Sequence, residues 1–249
     1  HSASSAASDV YKRQIHSQAR LFVLPCIAGH VGADTAGVIL AESPDSDEAM
    51  SLIVDVGTNA EIVLGNKDRL LVCSSPTGPA FEGGEISAGQ RATAGAIERV
   101  RIDRETLEPK FRVIGSELWS TEVSFADSTN ELSITGICGS GIIEVVAEMF
   151  LAGIISEDGI VDGALAERSS RVRSHGRTWS YVLHFAEDET QRDIVVTQND
   201  VRQIQLAKAA LYAGIKLLMD KMGVSAVDRI RLAGAFGSHI SVEHAMVLG

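Results

Sequence analysis

Residues 51–64 impose the strongest constraint on how this chain can fold. Residues 52–56 form an apolar, β-branched run that predicts a buried strand, and residues 60–64 predict a second strand. Only Gly57-Thr58-Asn59 separates the two. This spacing favours a tight hairpin turn, whose first and last residues can adopt positive φ angles. Asp55 stands at the end of the first strand, where the chain is expected to reach solvent.

The turn has the chemistry of a phosphate site. Successive N–H groups in a turn that contains a residue such as Gly57 can form a concavity for anions, and Thr58 and Asn59 add side-chain donors. Asp55 would repel a bare phosphate, so we predict that Mg²⁺ lies between them and is bound to Asp55 through water. The alternative is that Asp55 only orders the turn by accepting local N–H groups. The residues alone leave both interpretations open.

Composition excludes several classes of function. The chain has 249 residues, 45% of them hydrophobic, and a net charge of −11, which argues against a nucleic-acid partner because no basic stripe is present. No apolar run is long enough to cross a membrane. The three cysteines lie far apart, so a disulfide framework, structural zinc and an iron–sulfur cluster within this chain are disfavoured, and we expect a reduced, cytoplasmic setting.

The first residues differ from the rest of the chain. Residues 1–14 are small and polar, without periodicity and without the apolar region of a signal peptide, so we interpret them as a non-native leader. We expect one domain over residues 20–249, with a short strand at 21–25 and a helix at 33–42. Alternating apolar residues between 91 and 131 predict an inserted β layer.

The remaining elements follow from local patterns. Thr197 and Asp200 form a capping box that predicts a helix ending at Gly223. Residues 156–177 are expected to form a loop. The other predictions are strands at 69–74, 132–135, 179–185, 193–196 and 229–232 and a helix at 142–151.

Two glycine-rich turns are further candidates for ligand binding. The junction before the helix at 142 can present N–H groups to phosphate, or its small residues can simply allow close packing, and both interpretations stay open. After the last strand, small residues would let a flat ring approach the backbone closely. The residues concerned are Gly136, Gly139, Ser140 and Gly141 in the first turn, and Gly234, Ala235, Phe236 and Gly237 in the second.

The order of these pieces resembles one lobe of the ribonuclease H-like ATPase fold shared by sugar kinases, actin and chaperone ATPases. We therefore predict an α/β, actin-like ATPase lobe that carries an inserted β layer and is truncated. Within this superfamily the chain is most similar to the ATPases that reductively activate corrinoid proteins. The segments that carry the resemblance are LPCIAGHVGADT (24–35), DVGTNAEIVLGNKDRLL (55–71), TGPAFEGGEI (77–86), TGICGSGII (135–143) and RLAGAFGSHIS (231–241).

The resemblance implies an ATPase that drives the reduction of Co(II) corrinoid to Co(I) on a corrinoid protein or corrinoid methyltransferase. It implies that ATP and Mg²⁺ bind at DVGTN, which resembles a phosphate motif, and at LAGAFG, which resembles the adenosine motif. Such activators carry a [2Fe–2S] cluster in an N-terminal domain. Because this chain lacks cluster cysteines and shows one phosphate turn, we interpret it as mainly the second lobe of a longer parent and expect it to be inactive alone.

The loop after the third strand is predicted to respond to nucleotide. It leaves the strand beside the phosphate turn and holds Ser75, Thr77 and Phe81 among glycines and prolines. Such a loop can contact the corrinoid partner in one nucleotide state, or it can only close over ATP. Two other classes of function remain open, namely a small-molecule kinase of the same superfamily and a non-hydrolysing actin-like binding module.

Overall fold

A four-stranded mixed sheet forms the centre of the molecule in the computed structural model, which describes Gln18, Arg20 and residues 22–186 and 191–249. Its strands are β1 (Ser51–Val56), β2 (Ala60–Asn66), β3 (Arg69–Ser75) and β9 (Arg229–Ala233), in the order β3-β2-β1-β9. β1, β2 and β3 form an antiparallel meander, whereas β9 runs parallel to β1. The predicted strand–turn–strand is confirmed, and the parallel pairing brings a segment 178 residues away in sequence to its edge.

The two faces of this sheet are covered by different helices. Leu52, Val54 and Val56 belong to the large core, against which α4 (Gln198–Met222) packs. Ile53 alternates to the opposite face and packs with Val63 and Ala233 under helix α1 (Ala33–Glu42). α1 begins and ends where the sequence predicted.

The segment between β3 and helix α3 (Gly139–Leu151) includes residues 91–131, which were predicted to form an inserted β layer. Its strands β4 (Ile97–Ile102) and β5 (Pro109–Val113) form an antiparallel hairpin, and α2 (Phe125–Thr129) follows. Helix α3 (Gly139–Leu151) packs along β4. The region is therefore a hairpin with a short helix, and the boundaries of an inserted layer at 91–131 stay a prediction.

A second small sheet leads into the longest helix. β6 (Val172–His175), β7 (Thr178–His184) and β8 (Ile194–Thr197) form an antiparallel sheet in that order. The predicted capping box at the start of α4 is confirmed, since the Thr197 hydroxyl accepts the Asp200 N–H and the Asp200 carboxylate accepts the Thr197 N–H. The helix ends at Gly223, whose φ of 77° is the left-handed conformation typical of a helix end.

The chain ends with two short helices after β9. α5 (Gly234–Gly237) follows the strand without a loop, and α6 (Val242–Leu248) is capped by Ser241, whose hydroxyl accepts the His244 N–H. α6 packs against α3.

Several local predictions are wrong. Residues 22–25 form no strand, and Leu21 lies outside the described residues, as does the proposed leader 1–14. The strand predicted at 132–135 is absent because no neighbouring strand pairs with it. Just after this segment, Ile137 forms isolated bridges with Gly89 and Ile97. The loop predicted at 156–177 contains β6 and a 3₁₀ helix. α3 begins at Gly139 rather than Ile142.

Among the described residues, no helix has both the length and the apolar character needed to cross a bilayer.

Candidate functional site

The phosphate turn and the glycine-rich turn after β9 lie side by side. β1 and β9 are parallel neighbours, and Asp55 is paired in register with Ala233. The carboxyl ends of both strands therefore meet at one edge of the sheet, where ligands of open α/β sheets commonly bind. The structure thus brings together two motifs that the sequence could only assign separately.

Asp55 faces the side of the sheet that α1 covers. Side chains alternate along a strand, so Asp55 shares a face with Ile53 rather than with the large core. Burial raises the pKa of Asp55, and the negative charge of nearby Asp34 raises it further. Asp34 lies in the first turn of α1 and was not predicted as a site residue, although it belongs to the first segment that carries the resemblance.

The phosphate turn is open to solvent and tied to a neighbouring loop. Thr58 and Asn59 are exposed, and the Gly57 N–H donates to the Asn59 carbonyl at 3.1 Å. Neither Gly57 nor Asn59 adopts the positive φ that the sequence allowed, so this turn closes without a left-handed residue. The Thr58 hydroxyl donates to Oε2 of Glu82 at 2.7 Å, a partner that the sequence analysis did not identify.

Gly234 is required by the position of Asp55. It has a φ of 81°, in the left-handed region that disfavours side chains. A Cβ atom at this position would overlap Oδ1 of Asp55. Ala235 is exposed, Phe236 is half-buried and Gly237 is buried, so the two middle residues of the predicted ring site are accessible.

A cleft of about 1000 Å³ brings three of the predicted segments together. The loop 79–84 forms one wall, and the start of α3 and residues 235–236 form the others. A Cβ atom at Gly139 would lie 2.5 Å from the Phe236 ring, so these two predicted residues are in direct contact. The phosphate turn borders this cleft through Glu82, which lines it.

The glycines before α3 divide into two groups. A Cβ at Gly136 would lie 2.6 Å from the Ala88 carbonyl oxygen, and one at Gly141 would overlap that of Ile97. These two positions have the close backbone packing that the alternative interpretation required. Gly139 and Ser140 line the cleft at the start of a 13-residue helix, although a Cβ atom at Gly139 would overlap the Phe81 carbonyl oxygen, so close backbone packing applies there too. A nucleotide role for the four residues stays a prediction.

The proposed partner loop is anchored by its side chains. The Ser75 hydroxyl donates to the Ala210 carbonyl at 2.7 Å, and the Thr77 hydroxyl donates to the Gly57 carbonyl at 2.9 Å. Phe81 belongs to the large core, and all three side chains are buried. A contact of these side chains with a partner would therefore require the loop to rearrange, and that role stays a prediction.

The edge of the sheet has suitable chemistry for Mg²⁺ bound to a nucleotide. The side-chain oxygen of Thr35, in the first turn of α1, is buried without a hydrogen-bond partner. No three His, Cys, Asp or Glu side chains among the described residues are grouped for a metal. Mg²⁺ is usually held by one or two carboxylates together with substrate phosphates, a role that Asp55 and a phosphate at the exposed turn can fill. Asp55, the exposed turn and the unpartnered hydroxyl are therefore compatible with this ion.

The chain is similar to known proteins along most of its length. A family model described as the C-terminal domain of RACo, the ASKHA domain, matches residues 49–249. The chain is 34% identical over 243 residues to the corrinoid activation enzyme RamQ of Eubacterium limosum, which covers 94% of this chain and 38% of that protein. It is 27% identical over 256 residues to the Co(II) methylated amine-specific corrinoid protein reductase of Methanosarcina barkeri. This match covers 98% of this chain and 42% of that protein.

A solved structure shows the same fold. The structure is titled as a reductive activator for a corrinoid, iron–sulfur protein, and it superimposes with a TM-score of 0.76 at 34% identity over 90% of this chain and 33% of that one. The predicted actin-like fold class is confirmed. The chain spans less than half the length of each of these proteins.

Proposed function

This chain belongs to the family of RACo C-terminal ASKHA domains, and on that premise we propose that it is the Mg-ATP-binding part of an activator that drives reduction of Co(II) corrinoid to Co(I) on a corrinoid partner protein. The observation that carries the proposal is the parallel pairing of β1 with β9, which sets Asp55 against Gly234. One edge of the sheet therefore holds the Asp55 carboxylate, the exposed turn with its hydrogen-bond donors, and a stretch of backbone with small or no side chains.

The relatives support the corrinoid part of the proposal. Their names describe a corrinoid activation enzyme, a Co(II) corrinoid protein reductase and a reductive activator. Since this chain spans 33–42% of their lengths, the redox activity is proposed for the longer protein. We place the [2Fe–2S] cluster that supplies electrons outside this chain and the whole activator in the cytoplasm.

Different residues of the site bind different parts of the nucleotide. Asp55 holds Mg²⁺ through water, while the N–H groups and side chains at 57–59 donate to phosphate oxygens. Residues 234–237 receive the flat adenine ring, because Gly234 and Ala235 place little more than backbone at the surface. Bound Mg²⁺ would neutralise phosphate charge during hydrolysis.

Nucleotide binding can be tested with one substitution. Asp55→Asn keeps the size of the side chain and removes its charge, so we expect ATP affinity measured by calorimetry to lose most of its dependence on Mg²⁺, a decrease of about tenfold or more. Asp45→Asn removes an exposed carboxylate beyond the far end of α1 and serves as the control. A folded Asp55→Asn protein with unchanged Mg²⁺ dependence would contradict the assignment.

The corrinoid step needs a separate assay. The longer protein, its Co(II) corrinoid partner and a low-potential electron donor are mixed with and without Mg-ATP, and formation of Co(I) is followed by absorbance. We expect Co(I) to accumulate only with ATP. In the Asp55→Asn protein, addition of ATP should no longer increase the amount of Co(I). Equal accumulation without ATP would argue against an ATP-driven activator.

A further inference from the structure

Helix α1 covers the sheet face to which Asp55 belongs. Val38 and Ile39 of α1 pack against the cluster of Ile53 and Ala233 on that face. Thr35 lies three and four residues before them and therefore shares their side of the helix. The other end of α1 lies beside Arg231, which pairs with Glu42 and precedes Ala233 in β9. Because Ala233 is paired with Asp55 in register, the start of α1, with Thr35 and Asp34, lies toward the Asp55 end of the sheet.

The Thr35 hydroxyl has no partner in this position. The residue is only 1% exposed, and its oxygen makes no hydrogen bond. Buried hydroxyl groups almost always have a hydrogen-bond partner, and an unpaired one destabilises the folded state. A bound ligand that supplies a partner would remove this penalty.

The geometry of Asp34 adds a second carboxylate to the same place. Its Oδ1 accepts the Thr35 N–H at 2.8 Å, and a Cβ atom at Gly32 would lie only 2.5 Å from that oxygen. Gly32 at the N-cap has no side chain to cap the helix, and it therefore lets the Asp34 carboxylate turn back over the first-turn N–H groups. The charge of Asp34 acts on Asp55, so the two carboxylates are close enough to repel each other.

We propose that Asp34 and Asp55 hold one divalent cation between them, with the Thr35 hydroxyl as a third oxygen donor to the cation or to one of its waters. This inference rests on the proposed function, because the cation is the Mg²⁺ of the nucleotide site. Phosphate oxygens and water complete its coordination, since the described residues supply no third carboxylate, histidine or cysteine there. α1 then becomes part of the nucleotide site rather than only a cover for the sheet.

Mn²⁺ is the probe for this site, because its effect on the relaxation of water protons is larger when the ion is bound to a protein than when it is free or bound to ATP alone. Mn²⁺ is titrated into the wild-type chain in the presence of saturating ATP, and the titration is repeated with Asp34→Asn, Asp55→Asn and the double variant. Asp45→Asn is the control. We expect each single substitution of Asp34 or Asp55 to weaken Mn²⁺ binding about tenfold or more. The affinity of the double variant should fall by less than the product of the two single effects, because both substitutions remove ligands of the same ion.

Thr35→Val provides an independent measurement. It replaces the unpartnered hydroxyl by a methyl group of similar size, so thermal unfolding of the ligand-free protein should move to higher temperature. Mn²⁺ binding with ATP should weaken severalfold at the same time. A merely structural role for Thr35 would raise the unfolding temperature without changing Mn²⁺ affinity.

The outcomes separate this inference from the proposed function. Unchanged Mn²⁺ affinity in a folded Asp34→Asn protein, together with a loss in Asp55→Asn, overturns the second carboxylate and leaves nucleotide binding standing. Fully multiplicative effects of the two substitutions would also overturn it, because the carboxylates would then bind separately. Failure of the wild-type chain to bind Mn-ATP overturns both this inference and the proposed function.

Discussion

A side chain at Gly234 would occupy the space of the Asp55 carboxylate, so the two residues can meet only while position 234 has no Cβ atom. Gly234 also has a φ of 81°, which costs a residue with a side chain about 1–2 kcal/mol. Gly234→Ala should therefore destabilise the fold by at least that amount in denaturant unfolding. It should also weaken Mg-ATP binding, because Asp55 must move.

Gly223→Ala is the matched control for this prediction. Gly223 has a φ of 77°, and a Cβ atom there would meet nothing within 4 Å. The substitution should cost a similar amount of stability through backbone strain alone and leave ATP affinity unchanged. If both variants bind ATP like the wild type while losing equal stability, the Gly234–Asp55 contact has no role in nucleotide binding.

The Thr77 hydroxyl connects the loop after β3 to the phosphate turn. It donates to the Gly57 carbonyl at 2.9 Å, with the Thr58 carbonyl at 3.2 Å. Thr77→Val keeps the shape and removes this bond, so we expect a loss of about 1 kcal/mol in stability and a severalfold weaker affinity for ATP. Calorimetry of ATP and, in the longer protein, of the corrinoid partner would measure the two affinities separately.

Ser75→Ala controls for the general loss of a buried hydrogen bond, since Ser75 donates to α4 instead of the turn. It should cost similar stability and leave ATP affinity unaffected. A Thr77→Val protein with weaker ATP binding and normal partner binding would identify the loop as a nucleotide lid. Weaker partner binding with normal ATP binding would favour the partner role instead.

Local sequence patterns were sufficient to predict the helices and strands whose structure depends on residues close together in the chain. The meander β1–β3, helix α1 and the capped helix α4 were predicted closely because alternation, turn residues and caps act within a few residues. The strand predicted at 132–135 failed because a strand needs a neighbour, and no local signal shows whether one is present. The early start of α3 has a similar cause. Gly139 and Gly141 disfavour a helix intrinsically, but tight contacts with Phe81 and Ile97 require residues without side chains there.

The candidate site was predicted in pieces. Asp55 and Gly234 were each assigned from the chemistry of their own turns, and the structure brings them together through parallel pairing that the sequence does not show. Asp34, Thr35 and Glu82 were not assigned, because their relation to the site depends on packing between distant segments. Their only sequence signal is that they lie inside segments that carry the family resemblance.

Tyr181 should make the protein unstable in alkaline solution. The side chain is fully buried and donates to the Leu107 carbonyl at 2.8 Å. Burial raises the pKa of Tyr181 well above its usual value. Above a pH of about 10 the unfolded chain releases this proton while the folded chain keeps it, so stability falls as pH rises. Denaturant unfolding across this range would measure the slope.

In the Tyr181→Phe protein, unfolding at alkaline pH should release one proton fewer, so the free energy of unfolding should fall less steeply with pH. The substitution should also cost about 1 kcal/mol at neutral pH, because the Leu107 carbonyl loses its donor. Tyr212→Phe, at an exposed position, is the control and should leave the slope unchanged. An unaltered alkaline slope in the Tyr181→Phe protein would show that another group causes the loss of stability.

Glu144 joins the inserted hairpin to helix α3 through a buried charge. The side chain is fully buried, and its oxygens accept bonds from Arg99 at 3.1 Å, Arg101 at 2.6 Å and the Val100 N–H at 2.9 Å. Glu144→Gln would keep the volume but remove the carboxylate that pairs with Arg99, and it would leave Arg101 with only the more distant Glu148 at 4.0 Å. Removing one partner of a buried pair costs up to about 5 kcal/mol, and because both arginines reach solvent we expect about 2 kcal/mol.

The Glu144 prediction has a second readout at the site, because Arg99 also donates to the carbonyl of His239, two residues after α5. Releasing Arg99 should loosen the cleft wall that holds Phe236, so ATP affinity should fall together with stability. Asp220→Asn, which breaks the exposed pair with Lys216, is the control and should change neither. A Glu144→Gln protein as stable as the wild type in urea would mean that this charge is dispensable. Lower stability with unchanged ATP affinity would confine its role to holding the hairpin against α3.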